Sequence, residues 1–158
     1  MLERFQLIKH IHPALPAIDA EEWPTLDEDV EVELTSEDAD RPIENALLAS
    51  GGEGWRADGP GPHTIRLSWA SPITIRRIRL IFEEHGKART QEFVLRAQTR
   101  DGMREIVRQQ FTFSPPGTTA EREDYFTSLH GVAGLELVIV PAIDGAAAVA
   151  TLREWRLA

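Results

Sequence analysis

Residues 63–69 read His63-Thr64-Ile65-Arg66-Leu67-Ser68-Trp69, and residues 73–82 read Ile73-Thr74-Ile75-Arg76-Arg77-Ile78-Arg79-Leu80-Ile81-Phe82. In the first stretch every second residue is apolar from Ile65 onward, which predicts a β-strand with one buried face. In the second stretch the alternation shifts after Ile75, so we expect a bulge or sharp bend near Arg76 and Arg77. Ser71-Pro72 predicts a turn between two strands, because proline restricts its own backbone and that of its predecessor.

Further strands are predicted where short apolar segments lie between turn residues, over residues 30–34, 93–97, 105–113, 125–129, 135–140 and 149–157. Asp101-Gly102 marks a hairpin, and residues 43–48 predict one helical turn with Asp40 as its N-cap. Seven or eight short strands and no long helix indicate an all-β fold, an antiparallel β-sandwich or jelly roll. We expect its buried aromatic side chains to include Trp55, Trp69, Phe82, Phe93, Phe111 and Trp155.

The length of 158 residues is that of one domain. We place this domain at residues 30–158 and expect an N-terminal arm over residues 1–29, where prolines interrupt regular structure. The arm is expected to cover an open edge or end of the domain with its apolar side chains, which are Phe5, Ile8, Leu15, Ile18 and Trp23. A docked arm also offers a contact for a homodimer.

Composition and charge exclude several classes of protein. The absence of cysteine excludes disulfides, thiolate catalysis and cysteine-ligated metal sites. No apolar stretch approaches the roughly 18 residues that span a bilayer, and the first ten residues lack the apolar core of a secretory signal, so we expect a cytoplasmic protein. The net charge is −9, with 14 acidic and 3 basic residues in 1–54 against 12 and 14 in 55–158. Without a basic patch, we expect no binding to nucleic acid or to anionic membranes.

Several pieces of the sequence follow one another in a characteristic order. They are Pro42-Ile43-Glu44-Asn45-Ala46-Leu47, Trp55-Arg56-Ala57, residues 60–82, residues 91–102 and residues 150–157. This order resembles the discoidin or coagulation factor 5/8 type C family, the galactose-binding-like jelly rolls. The resemblance covers roughly residues 30–158 and implies a non-catalytic binding domain, with carbohydrate as the first expected ligand.

In carbohydrate-binding relatives, the loop after the isoleucine-rich strand holds the sugar hydroxyls. The matching loop here covers residues 83–90, so the resemblance implies that His85 and Arg89 bind the ligand, with Lys87 and Glu53 as neighbours. Arginine and histidine supply directional donors for hydroxyl groups. A solvated polar loop with no ligand is the alternative interpretation.

The role of Arg89 and the nature of the ligand both stay open at this point. Arg89 can instead pair with Glu83 or Glu84 and order the loop. Relatives also stack an aromatic ring on the sugar, but the loop over residues 141–148 has none, which leaves Trp23 in the arm as the free candidate. The alternative function is therefore an intracellular protein–protein interaction module of the same fold, and the expected partner is a carbohydrate or a protein.

A structural calcium is often held in this family between an Asp-Gly pair in an early loop and a carboxylate in the last strand. Here the Asp-Gly position reads Leu48-Ala49, leaving Glu154 and Glu53 as the remaining carboxylates. The loss of the main carboxylate argues against calcium, so we expect no cofactor and expect Glu154 to pair with an arginine. His10-x-His12 offers two zinc ligands but no third.

No catalytic motif is present in the sequence. There is no Gly-x-Ser-x-Gly and no phosphate-binding glycine loop. Ser128, His130 and Asp124 have the residue types of a hydrolytic triad, but residue types without geometry do not establish one. We therefore expect that the protein is not an enzyme.

Overall fold

The computed structural model describes residues 30–48 and 52–158. The predicted N-terminal arm, its homodimer contact, the His10-x-His12 pair and Trp23 lie outside the described residues. The elements are β1 (Glu31–Leu34), α1 (Glu44–Leu47), β2 (Trp55–Pro60), β3 (His63–Glu83), β4 (Arg89–Thr99), β5 (Gly102–Phe113), β6 (Ala120–Val140), β7 (Val149–Leu152) and β8 (Glu154–Leu157). The hairpin predicted at Asp101-Gly102 is confirmed, because β4 pairs antiparallel with β5 on either side of it.

Two 21-residue strands, β3 and β6, form the centre of the fold and pair antiparallel along their lengths. Their register shifts three times between Ser68 and Arg77, which confirms the bend predicted near Arg76 and Arg77. The two strands predicted on either side of Ser71-Pro72 are, however, one strand. Residues 69–72 fall within the first register shift, where the ladder does not need the N–H that proline lacks.

Both long strands belong to both layers of a β-sandwich. The first half of β3 lies between β1 and β6, and β4 and then β5 continue this sheet beyond β6. The second half of β3 lies between β8 and the first half of β6, while β2 and β7 form a separate two-stranded sheet. Side chains of the two layers meet in the interior, as in the stacked rings of Phe82 and Phe93 at 5.1 Å. The predicted antiparallel β-sandwich jelly roll is confirmed.

The aromatic core agrees with the sequence prediction except at one position. Buried as expected are Trp55, Trp69, Phe82, Phe93 and Trp155. Phe111, on the edge strand β5, is only half-buried. Phe113 is fully buried instead, under the guanidinium of Arg89.

The helical turn α1 begins differently from the prediction. Its N-cap is Ile43, and no side chain caps it, although the Ile43 N–H donates to a carboxylate oxygen of Glu37 at 2.9 Å. Asp40 lies outside the helix in a turn in which its N–H donates to Asp38. The predicted Asp40 cap is therefore wrong, since several acidic residues precede α1 and spacing alone does not select one. Within the described residues, no helix is long and apolar enough to cross a membrane.

Candidate functional site

A cavity of about 460 Å³ opens at one end of the sandwich, where β3 ends beside the segment before β2 and the segment after β7. We call it the loop-end cavity. Its lining consists of Arg41, Glu53, Arg56, Glu83, Glu84, His85, Gly86, Thr151 and Arg153. All of these except Gly86 have a polar or charged side chain, and the volume lies in the range of small-molecule sites.

Gly54 brings the segment before β2 against the end of β7. Its φ is +86°, and a Cβ here would lie 2.5 Å from the carbonyl oxygen of Leu152, so only glycine fits. Arg153 then donates to the carbonyl oxygen of Gly52, and its Nε pairs with Glu83 Oε1 at 2.8 Å. Arg153 therefore joins the segment before β2 to the end of β3.

The guanidinium groups that line the cavity are each paired with a carboxylate group. Arg41 Nη2 lies 2.8 Å from Glu53 Oε2, and Arg56 Nη2 lies 2.9 Å from Asp38 Oδ2. The backbone N–H of Asp40 and the Arg56 guanidinium lower the pKa of Asp38, so this carboxylate stays ionised at neutral pH. A guanidinium has five N–H donors, so these pairs leave donors for a ligand.

Three of the four predicted site residues lie in or beside the loop-end cavity. Glu53 and His85 line it, and their side chains are 76% and 68% exposed. His85 Nε2 lies 2.9 Å from Glu83 Oε2, so Glu83 holds both His85 and Arg153 in place. Lys87 lies beside the cavity without lining it, and its Nζ donates to the carbonyl oxygen of Ala147 at 2.5 Å.

Arg89 does not reach the cavity surface. Its side chain is 1% exposed, and its Nε donates to Glu84 Oε1 at 2.7 Å. Its Nη1 donates to Gln91 Oε1 at 3.1 Å and to the carbonyl oxygen of Pro141 at 2.9 Å. The prediction that Arg89 contacts the ligand is therefore corrected, because these partners bury its guanidinium. The alternative interpretation, in which Arg89 pairs with Glu84 and orders the loop, agrees with the structure.

The Arg89 contacts continue into the interior. Gln91, which is fully buried, accepts from Arg89 and donates through Nε2 to Glu121 Oε1 at 2.9 Å. Glu121 is 1% exposed, and burial together with the neighbouring Glu123 raises its pKa to about 8. Glu121 is therefore largely protonated at neutral pH. Glu84, which lines the cavity, is thus connected to the buried Glu121 by hydrogen bonds through the side chains of Arg89 and Gln91.

Sequence reasoning missed most of the cavity lining. Arg41, Arg56, Thr151 and Arg153 come from three separate stretches of the chain, and Glu83 had no signal apart from its place in the predicted loop. The resemblance covered both Arg56 and Arg153, yet alternation along a strand does not reveal which strand ends meet.

The residues at the expected calcium position do not fit a calcium ion. The buried Arg156 donates through Nη1 to the carbonyl oxygen of Ala46 at 2.9 Å and through Nη2 to that of Leu48 at 3.0 Å. Glu154 lies 3.5 Å from Arg156 and 4.0 Å from Arg79, which confirms the predicted pairing with an arginine. Within the described residues, no three His, Asp or Glu side chains cluster as metal ligands.

Ser128, His130 and Asp124, which have the residue types of a hydrolytic triad, do not come together as one. Ser128 Oγ lies 3.2 Å from His130 Nε2, but the other ring nitrogen of His130 lies 3.5 Å from the Thr74 hydroxyl. Asp124 pairs with Arg79 at 2.8 Å and with Arg122 at 3.0 Å. The serine and histidine therefore meet without the carboxylate that a triad needs.

The sequence matches no protein-family model and no curated protein, whereas its fold matches solved structures. The family 32 carbohydrate-binding module of NanJ from C. perfringens, in complex with galactose, superimposes with a TM-score of 0.56 at 12% identity, over 82% of this chain and 93% of that chain. The fold is that of the family 32 carbohydrate-binding modules. A second family 32 module, from Clostridium perfringens and in complex with GalNAc-beta-1,3-galactose, gives 0.53 at 18% identity over 82% and 94%.

Part of a longer enzyme chain has the same fold. A Ruminococcus gnavus GH29 fucosidase in complex with fucose matches with a TM-score of 0.62 at 10% identity, over 87% of this chain and 26% of that chain. The fold therefore accounts for nearly all of the two solved family 32 modules and for about a quarter of the longer fucosidase chain. These matches confirm the discoidin-like jelly roll expected from the sequence.

Proposed function

We propose that this chain is a non-catalytic module that binds carbohydrate in the loop-end cavity. The observation that carries the proposal is the pairing of guanidinium donors with carboxylate acceptors in the lining of a cavity of about 460 Å³. Sugar hydroxyls both donate and accept hydrogen bonds, so a wall that offers both matches them. Family 32 modules have been solved in complex with galactose and with GalNAc-beta-1,3-galactose, which makes galactose and N-acetylgalactosamine the first ligands to test.

The charge balance favours a neutral sugar over an anion. The three arginines of the lining are each paired with a carboxylate, in the pairs Arg41–Glu53, Arg56–Asp38 and Arg153–Glu83. An anionic ligand would meet these carboxylates as well as the arginines. Among the described residues no aromatic side chain lines the cavity, so binding rests on hydrogen bonds. We expect a dissociation constant on the order of 1 mM.

A pair of variants in one loop tests the site. His85→Ala removes an exposed side chain of the cavity wall and should weaken binding about tenfold. Lys87→Ala removes a side chain from the same loop but outside the lining, so its affinity should equal that of the parent. Both can be measured by two-dimensional ¹H–¹⁵N NMR titration with galactose and N-acetylgalactosamine, following the amide of Gly86. Equal melting temperatures would show that both variants fold.

Two results would contradict the proposal. If neither sugar shifts the Gly86 amide at about 100 mM, some hundredfold above the expected dissociation constant, the loop-end cavity is not a site for these sugars. A protein partner for the same fold would then be favoured. If His85→Ala and Lys87→Ala weaken binding equally, the ligand is attracted by the general charge of the loop rather than held in the cavity.

A further inference from the structure

A second cavity, of about 480 Å³, lies beside the first half of β3, at residues 66–69. We call it the sheet groove, since its floor is the sheet formed by β3, β6 and β4. In register, Gly134 of β6 lies between Ser68 of β3 and Gln98 of β4. A Cβ at Gly134 would lie 2.8 Å from the carbonyl oxygen of Leu67, so the close approach of β3 requires glycine. A glycine next to a small serine leaves the sheet surface open at this point.

A row of charged side chains borders the sheet groove. Arg66 Nε pairs with Glu136 Oε2 at 2.8 Å, and Arg96 Nη1 pairs with Glu136 Oε1 at 3.1 Å. Glu33 lies opposite Arg66 on β1. Burial alone would raise the pKa of Glu136, but the hydrogen bonds from Arg66 and Arg96 outweigh it and lower that pKa. Glu33, Arg66 and Glu136 line the groove with donors and acceptors. Arg96, outside the lining, also pairs with Glu136, so the two arginines and two glutamates together carry no net charge.

The other side of the groove is apolar. Of the three tryptophans in the described part of the chain, Trp69 alone keeps exposed surface, at 8%, and it lines the groove. Met103 also lines it and is 48% exposed. The exposed Gln98 donates to the carbonyl oxygen of Thr99, which leaves its own side-chain oxygen as an acceptor. An apolar surface beside uncharged hydrogen-bonding capacity suits a sugar ring, which has an apolar face and a polar edge.

We propose that the sheet groove is a second carbohydrate site, separate from the loop-end cavity, and that it takes a segment of a neutral oligosaccharide. The groove has the exposed thioether of Met103 and the small accessible part of Trp69, neither of which has a counterpart in the loop-end lining. Because the described residues leave the groove open on the sheet surface, a sugar chain can continue beyond it. The inference does not depend on sugar binding at the loop end, since the two sites share no lining residue.

The test is a ¹H–¹⁵N NMR titration with xylohexaose, cellohexaose and mannohexaose as probes. Trp69→Phe assigns the indole resonance of Trp69. At least one probe should shift that resonance together with the side-chain amide of Gln98 and the backbone amide of Gly134. Gln98→Ala should weaken this binding about tenfold. Gln110→Ala is the matched control, because Gln110 is an exposed glutamine of β5 that does not line the groove.

The outcomes separate this inference from the proposed function. If no probe shifts the groove resonances, the sheet groove is not a site for neutral oligosaccharides, whether or not galactose still shifts Gly86. If Gln98→Ala and Gln110→Ala behave alike, the assignment to the groove is wrong. Shifts at the groove that persist in His85→Ala would support a second site that is separate from the first, and a parent that shows these shifts but no Gly86 response to galactose would remove the first site alone.

Discussion

Replacing Arg89 by alanine tests whether this residue orders the loop of the cavity. The guanidinium is almost completely buried and donates to Glu84, Gln91 and the carbonyl oxygen of Pro141. It also lies 4.8 Å from the centre of the Phe113 ring. Alanine removes all of these contacts. Glu84, whose burial would raise its pKa, then loses the hydrogen bond from Arg89 that helps to lower it.

The expected loss of stability follows from this burial. Removing one partner of a buried ion pair costs about 3–5 kcal/mol, and the 19% exposure of the Glu84 side chain lets water solvate it in part. We therefore expect Arg89→Ala to lower the free energy of unfolding by about 3 kcal/mol. At about 2–4 °C per kcal/mol for a chain of this size, the melting temperature should fall by roughly 6–12 °C. Urea unfolding and calorimetry measure both quantities.

A local readout and a control accompany the Arg89 measurement. The N–H groups of Gly86 and Lys87 donate to Glu84 Oε2 at 3.0 and 3.3 Å, so their amide resonances should shift when Glu84 is released. Lys87→Ala should change stability by no more than about 0.5 kcal/mol. A loss below about 1 kcal/mol for Arg89→Ala would refute the reasoning, because that is the range of solvent-exposed pairs.

Three further predictions concern the interior, the last strand and the response to calcium. Because the pKa of Glu121 is raised from 4.5 to about 8, the folded state keeps a proton that the unfolded chain loses, so stability should fall by about 1.4 kcal/mol per pH unit between these values. Urea unfolding from pH 5 to 8 should show this slope in the parent and a flatter one in Glu121→Gln; equal slopes would contradict it. Arg156→Met should cost about 2–4 kcal/mol by leaving the carbonyl oxygens of Ala46 and Leu48 without donors. EDTA or millimolar calcium should leave the parent's melting temperature unchanged, and a rise with calcium would show that a metal site exists.

The fold was predictable because its signal is local. Alternating apolar residues from Ile65 to Trp69 reveal a strand whichever partner it pairs with. The continuity of β3 through Pro72 was not predictable, because the register shift that tolerates proline involves β6, more than 50 residues away. The exchange of Phe111 for Phe113 has a similar cause. Both lie on β5 with the same alternation, and Phe113 differs in lying opposite Arg89, whose guanidinium covers its ring.

The candidate site was predictable only in part. The resemblance brought out His85 and Glu53, which line the loop-end cavity. The resemblance also predicted that Arg89 binds the ligand. Arg89 is buried instead, and its burial depends on Gln91 and Pro141 and so on the packing of two other segments. The pair between Arg153 and Glu83 joins residues that are 70 positions apart, and no spacing in the sequence indicates such a contact.

The sharing of β3 and β6 between the two layers has a mechanical consequence. In a sandwich whose layers are made of different strands, the layers can separate by losing side-chain contacts alone. Here two continuous backbones run through both layers, so the layers remain covalently connected at the bend. Amide hydrogens on either side of the Ser68–Arg77 bend should consequently exchange with solvent through one common opening event rather than layer by layer.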